Sequence, residues 1–352
     1  MDLLLSLYNI QSESNHEQEM IAACKQLFKE RGCKVVNKKN NLYITKGKSD
    51  SYPCIAAHLD EVHGDRGIYQ AIYSPVNDII YGWSFTDNDF CGIGADDKNG
   101  IWVALQMVER LEYCKVCLFH GEEIGCIGSH DAWMSFFKNC RFVLQVDRRN
   151  AGDLITNISG RMVSDDFMQA ITPIAEQFGY KETHGLMTDV ETLVENGVGI
   201  SCINMSCGYY NPHTQHEFTI WRELCNTAEF VYEICTQMTD TYLHEYQVPT
   251  FPYSDWSKYD TFAWKVPSKK TNLLPFVDGL NDDEFSGLIS MLQNDMDTGE
   301  FWDMDSAQLL DRYKAYYPKL TAYTLDDALN MAERNYFDYC DDEYDEYNQK
   351  FF

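Results

Sequence analysis

Positions 94–100 read GADDKNG and lead into a stretch, GIWVALQMVERLEY at 100–113, whose apolar residues recur at helical spacing. Two adjacent carboxylates, Asp96 and Asp97, thus stand between glycines at the mouth of a helix. Moving outward, short apolar runs occur at YPCIAA (52–57), VCLFH (116–120), RFVLQV (141–146) and GISCINMS (199–206), with amphipathic stretches between them. That alternation predicts an α/β protein with a mostly parallel central sheet flanked by helices.

Further out, HEQEMIAACKQLFKERG (16–32) reads as a helix stopped by Gly32, and CKVVNKKNNLYITKG (33–47) as two strands around an Asn40–Asn41 turn. CNTAEFVYEICTQMTDTYLHEY (225–246) reads as one amphipathic helix, and the proline- and aromatic-bearing VPTFPYSDW breaks the pattern after it. The expected organisation is a catalytic domain over 1–246, a linker over 247–275 and an acidic helical extension over 276–352. From Phe276 onward the chain carries 19 acidic and 5 basic side chains, a net of −14 against −27 for all 352 residues.

These totals exclude several classes. A net charge of −27 leaves no means of neutralising a phosphate backbone, so no nucleic-acid partner is expected. No apolar run approaches the roughly 18 residues of a membrane span. The opening MDLLLSLYNIQSES lacks a basic lead and a small-residue cleavage site, and 13 cysteines without repeated spacing suit free thiols. A cytoplasmic location is expected. Cys114 and Cys117, although spaced like metal ligands, have no second pair and read as core thiols of a buried strand.

In an open α/β sheet, functional residues gather beyond the carboxyl ends of the strands. HLDEVHG follows the first apolar run and offers His58 and Asp60; Glu122 and Glu123 follow the second; Asp147 ends the third; His213 follows the fourth. With Asp96 and Asp97, every such position carries a metal-capable side chain. Imidazoles and carboxylates converging on one edge suit zinc, whereas the same carboxylates without a cation repel one another.

The order HLD, GADDKNG, GEEIGCIGS, a lone Asp after a strand, then PHTQHE resembles the dinuclear zinc exopeptidase superfamily, particularly the tripeptide aminopeptidase branch, over residues 1–246. The resemblance implies two Zn2+ ions, or other divalent metals, about 3.5 Å apart. It implies His58 and Asp147 on one ion, Glu123 and His213 on the other, and Asp96 bridging both. Asp60 would orient His58, Asp97 would brace the site beside a strained peptide, and Glu122 would be the general base. His216 competes with His213, but the family's ligand lies four residues before a glutamate, which in HTQHE selects His213 against Glu217. Tyr209 or Tyr210 is a candidate oxyanion donor.

The chain departs from that branch in one respect: only positions 148–212 separate Asp147 from His213, too few for the lid domain that many relatives insert there. Asp189, within this segment, is open to two readings, a helix cap or a contact to a substrate ammonium. An aminopeptidase acting on small peptides is the leading expectation. A deacylase of N-acyl amino acids on the same fold and a non-catalytic binding or scaffold protein are the alternatives, and the oligomeric state is left open.

Overall fold

The computed structural model describes residues 1–185 and 187–246; the linker and acidic extension read from the sequence lie outside them. The chain opens with α1 (Asp2–Tyr8) and α2 (Gln18–Glu30), then β1 (Lys34–Lys38), β2 (Asn41–Lys46) and β3 (Tyr52–His58). Three further strands follow, β4 (Tyr69–Ser74), β5 (Ile79–Ser84) and β6 (Asp89–Cys91), ahead of α3 (Ala95–Arg110) and β7 (Cys114–Phe119). The middle of the chain forms α4 (Ile127–His130), β8 (Cys140–Arg148), β9 (Asp153–Asn157), α5 (Asp165–Phe178), β10 (Lys181–His184) and α6 (Asp189–Glu195). Last come β11 (Cys202–Ser206), β12 (Tyr209–Tyr210), β13 (Phe218–Ile220) and α7 (Trp221–Gln237).

Eight strands form the central sheet in the order β1-β2-β7-β3-β8-β11-β9-β10. Its centre is parallel, β7 with β3, β3 with β8 and β8 with β11, while β1, β2 and β9 introduce antiparallel pairs. The central strands are buried along nearly their whole length because both faces are covered. Side chains alternate between two cores with a period of two. Ile55, Ala57, Val116, Leu118, Phe142 and Leu144 face α1, α2, α3, α5 and α7, whereas Cys54, Ala56, Cys117, Phe119 and Val143 face the side carrying α6. Cys114 and Cys117 are fully buried in β7, in keeping with core thiols. Among the described residues no helix is long and apolar enough to cross a membrane.

Three details differ from the sequence reading. The hairpin turn centres on Lys39 and Asn40, both with positive φ, while the Asn41 side chain is buried and donates to the Gly128 carbonyl at 2.8 Å. The last helix spans Trp221–Gln237 rather than 225–246. Beyond it the chain turns at Met238 (ψ 89°) and pairs with the sheet instead: Tyr242 N–H donates to Arg141 O, its carbonyl accepts from Ser201, and its ring packs edge-on against Phe167. Finally, the structure adds a five-stranded antiparallel sheet, β12-β13-β5-β4 with β6 beside β5. Its signal was present in alternating, turn-bounded runs such as YQAIYS and IIYGWSF.

The aromatic group Phe142, Phe167 and Tyr242 locks α5 and the post-α7 segment onto the sheet. The helix α5 is set by Ser164, whose hydroxyl caps the Phe167 N–H at 3.2 Å, and by Gly179 in the left-handed conformation at its end. Phe167 is fully buried. Phe167→Ala is expected to cost about 3–5 kcal/mol in equilibrium denaturation, as a large-to-small change at a tightly packed site does; a loss under about 1 kcal/mol would show this corner to be loosely packed.

Candidate metal centre

The parallel strands β3, β7 and β8 end on one edge, and there the sequence-selected side chains meet. His58 is the last residue of β3, Asp147 lies at the end of β8, and Glu122 and Glu123 sit in the turn after β7. Asp96 and Asp97 open α3 but do not have helical torsions, and the peptide between them is cis. His213 stands in the loop from β12 to β13 with φ +64°, so the second sheet presents it.

Two groups share one residue: His58, Asp96 and Asp147 form the first, and Asp96, Glu123 and His213 the second. Asp96 divides its carboxylate between them. Its Oδ1 lies 2.9 Å from His58 Nε2, and its Oδ2 lies 3.5 Å from His213 Nε2. His58 Nε2 is 3.4 Å from Asp147 Oδ1, and His213 Nε2 is 3.2 Å from Glu123 Oε2. The His58 side chain is 0% exposed and that of His213 41%, so the centre opens to solvent on the His213 side. His216 lies outside both groups and packs against Phe90, with ring centroids 5.8 Å apart.

The glycines of GADDKNG now have reasons. Gly94 adopts φ +63°, and a Cβ there would run into the Glu61 carboxylate and Lys98 Nζ. A Cβ on Gly100 would stand 2.7 Å from the Val146 carbonyl and against the Asp97 carboxylate. Asp97 is fully buried and accepts from the His58 N–H at 3.1 Å and the Gly100 N–H at 3.0 Å, tying the end of β3 to the start of α3. Asp60 stands beside the His58 ring, with Oδ1 3.4 Å and its carbonyl oxygen 3.0 Å from Nδ1. The same carboxylate accepts from the Glu122 and Glu123 N–H groups at 2.9 and 3.2 Å and from the Ser14 hydroxyl at 2.7 Å. One buried carboxylate therefore fixes both the ring and the Glu-Glu turn.

Other holding groups come from the same strand and from distant elements. Gln145 donates to Asp147 Oδ2 at 2.9 Å, and the Asp147 N–H donates to Asn204 Oδ1 at 3.0 Å. Tyr209 donates to Asp96 Oδ2 at 2.9 Å and lies 3.1 Å from the Asp147 carbonyl. This corrects the expectation for the two tyrosines: Tyr209 is committed to a carboxylate, and Tyr210 donates to Glu223 at 2.8 Å, so neither hydroxyl is free as an oxyanion donor. Asp189 does not fulfil the cap reading. Thr188 holds the cap position, and Asp189 is fully buried with neither carboxylate oxygen hydrogen-bonded, its carboxyl pushed up to about 7 chiefly by burial.

The protein groups alone are poorly balanced. Burial, followed by the Asp96 charge, pushes the Asp147 and Glu123 carboxyls above the usual carboxylate range. Burial also raises Glu122 well above it, with His58 opposing and Asp147 adding to the rise. Burial would lower the His213 imidazole, yet hydrogen bonds to Asp96 and Glu123 hold it up at about 11. Like charges crowded in this way are what bound cations relieve. Glu123 Oε1 is buried without a hydrogen-bond partner, an acceptor left to a cation. Two imidazole nitrogens with carboxylate oxygens are a donor set that fits Zn2+.

The Glu122 carboxylate belongs to neither group. Its recorded hydrogen-bond contact is with the Cys126 thiol, whose Sγ is 3.7 Å from Oε1. The Glu122 carboxyl thus stands outside the clustered donors, although the charges of His58 and Asp147 act on it.

Known structures share this fold. The chain is similar to the aminopeptidase PepT from Bacillus cereus, at 14% identity and a TM-score of 0.58, over 68% of this chain and 98% of that one. It is similar to a tripeptidase from Staphylococcus aureus, at 16% identity and a TM-score of 0.53, over 66% and 96%. A TET aminopeptidase from a marine sediment archaeon of the Thaumarchaeota matches at 14% identity and a TM-score of 0.55, over 68% and 96%. No family model matches the chain, and no curated protein matches it in sequence. At these identities the likeness establishes the fold, a parallel-centred α/β sheet flanked by helices of the kind these aminopeptidases have.

Proposed function

We propose that the chain is a dinuclear metal-dependent amide hydrolase, an aminopeptidase acting on small peptides, working in the cytoplasm. The observation that carries this reading is the divided carboxylate of Asp96, one oxygen toward His58 and the other toward His213, with Glu122 outside both donor groups. His58, Asp147 and Asp96 would hold one ion, and Asp96, Glu123 and His213 the other. Two divalent ions held there, most naturally zinc, would supply Lewis acidity toward the scissile carbonyl and water.

The chain's own groups do the rest. Glu122 takes a proton from the attacking water and delivers it to the amide nitrogen as the C–N bond breaks, leaving a carboxylate and an amine. Burial beside Asp147 favours its protonated form and so suits it to the donating half of that cycle. Asp60 keeps the His58 ring and the Glu122 backbone in register through a single set of hydrogen bonds. The names of the three compared structures, two aminopeptidases and a tripeptidase, support a peptide over an N-acyl amino acid as substrate.

A panel of free-amino dipeptides and tripeptides alongside N-acyl amino acids, assayed with zinc added, tests this. Cleavage of the free-amino peptides is expected. Turnover of N-acyl amino acids alone would make the protein a deacylase, and turnover of neither would favour a binding or scaffold role.

A further inference from the structure

We propose that Glu217 is a positioning residue that sets the separation between the two halves of this centre, a role that rests on the dinuclear reading above. His58 and Asp147 are fixed by adjacent strands of the central sheet, β3 and β8. Asp96 and His213 are not: one has non-helical torsions at the start of α3, and the other sits in a loop with positive φ. Their spacing must come from contacts between the two loops, and Glu217, four residues beyond His213, supplies them.

Glu217 is 1% exposed. Its Oε2 accepts from the Gly94 N–H at 2.6 Å and the Ile93 N–H at 2.9 Å, and lies 3.1 Å from His63 Nε2. Its Oε1 lies 3.3 Å from the Asp96 N–H. Three backbone groups leading into Asp96 therefore converge on one charged acceptor, and charge-assisted hydrogen bonds of this kind are among the stronger ones available. Lys98 completes the grip from the other side, donating to the Ile93 carbonyl at 3.2 Å and standing 3.0 Å from Glu61 Oε1. Ile93 is held at both its backbone N–H and its backbone C=O. Tyr209 orients the Asp96 carboxylate, whereas Glu217 fixes the backbone from which that carboxylate projects. Moving this backbone relative to His213 alters the second group, Asp96, Glu123 and His213, before it alters the strand-held pair of the first.

Calorimetric titration of zinc into the full, metal-stripped chain tests this with no activity readout. Wild type is expected to take two ions. Glu217→Ala should weaken the second by roughly the 10–100-fold that follows loss of partners outside the ligand set. Glu217→Asp keeps the buried charge but is one methylene too short to span Gly94 and Asp96, so it should weaken the second ion at least to the lower end of that range. Glu217→Gln keeps the length but offers one acceptor oxygen where Glu217 uses two, and its NH2 would face a backbone N–H, so it should weaken the second ion less than Glu217→Ala but measurably. Phe167→Ala, remote from the centre, should lower the melting temperature while leaving both ions bound as in wild type. Two ions bound at wild-type affinity by Glu217→Ala or Glu217→Asp would overturn the proposal alone, as would a Phe167→Ala variant that loses the second ion equally. A wild-type chain that takes up no zinc would overturn the dinuclear reading as well. Should Glu217→Ala not fold, Glu217→Asp decides the question.

Discussion

Glu122→Gln is expected to lower turnover by roughly 10²–10⁴-fold, the range for loss of a general acid/base, with ion content and melting temperature close to wild type. The reasoning is local. Asp60 holds the turn through the Glu122 and Glu123 N–H groups, which the substitution leaves untouched. The Glu122 side chain belongs to neither donor group, and an amide of the same shape fits its place. What disappears is a carboxylate able to accept a proton and return it. Glu123→Gln is expected to behave differently, because Glu123 Oε2 faces His213 at 3.2 Å within the second group, and that variant should lose an ion. Matched ion content and matched activity in the two variants would show that the roles within the pair are wrongly divided. Steady-state kinetics with elemental analysis of both proteins settles it.

Asp96→Ala is expected to have the larger effect on metal. Asp96 is the one residue common to both groups, so its removal takes a donor from each. Ion content should fall from two to below one per chain, with turnover reduced at least as far as in Glu122→Gln. Thermal stability gives an independent reading. A ligand that binds only the folded chain stabilises it by about 2.7 kcal/mol at a hundredfold excess over Kd. Wild type should therefore gain stability on zinc addition and Asp96→Ala little or none. An Asp96→Ala protein that still holds two ions and responds to zinc as wild type does would remove the bridging role.

Much of this was legible in the chain because the central strands are buried on both faces. YPCIAA, VCLFH, RFVLQV and GISCINMS are nearly continuous apolar runs, and a run of that kind states both its strand and the edge at which its polar successor emerges. His58, Glu122, Glu123 and Asp147 follow from that rule, whereas the choice of Asp96 over Asp97 within GADDKNG rests on the resemblance. The second sheet was less visible because its strands are short and half-exposed, with burial alternating along Ile79–Ser84. The helix α7 ends earlier than its periodicity implies because the helical pattern of Met238–Tyr246 is overridden by tertiary pairing: Tyr242 finds Arg141 and Phe167, contacts far away in sequence. The same reason applies to the tyrosines. Whether Tyr209 points its hydroxyl at substrate or at Asp96 depends on residues more than a hundred positions apart, and no spacing within CGYYNPH encodes it. Asp189 resembled a cap in LMTDVETL, but Thr188 one position earlier takes that place and the carboxylate turns inward.

The central claim is that His58, Asp96, Glu123, Asp147 and His213 together hold a pair of divalent ions. Elemental analysis of the full chain, purified without chelator and then supplemented with zinc, tests it most directly. Two equivalents per chain are predicted, falling on substitution of Asp96. Well under one equivalent after supplementation would contradict the account.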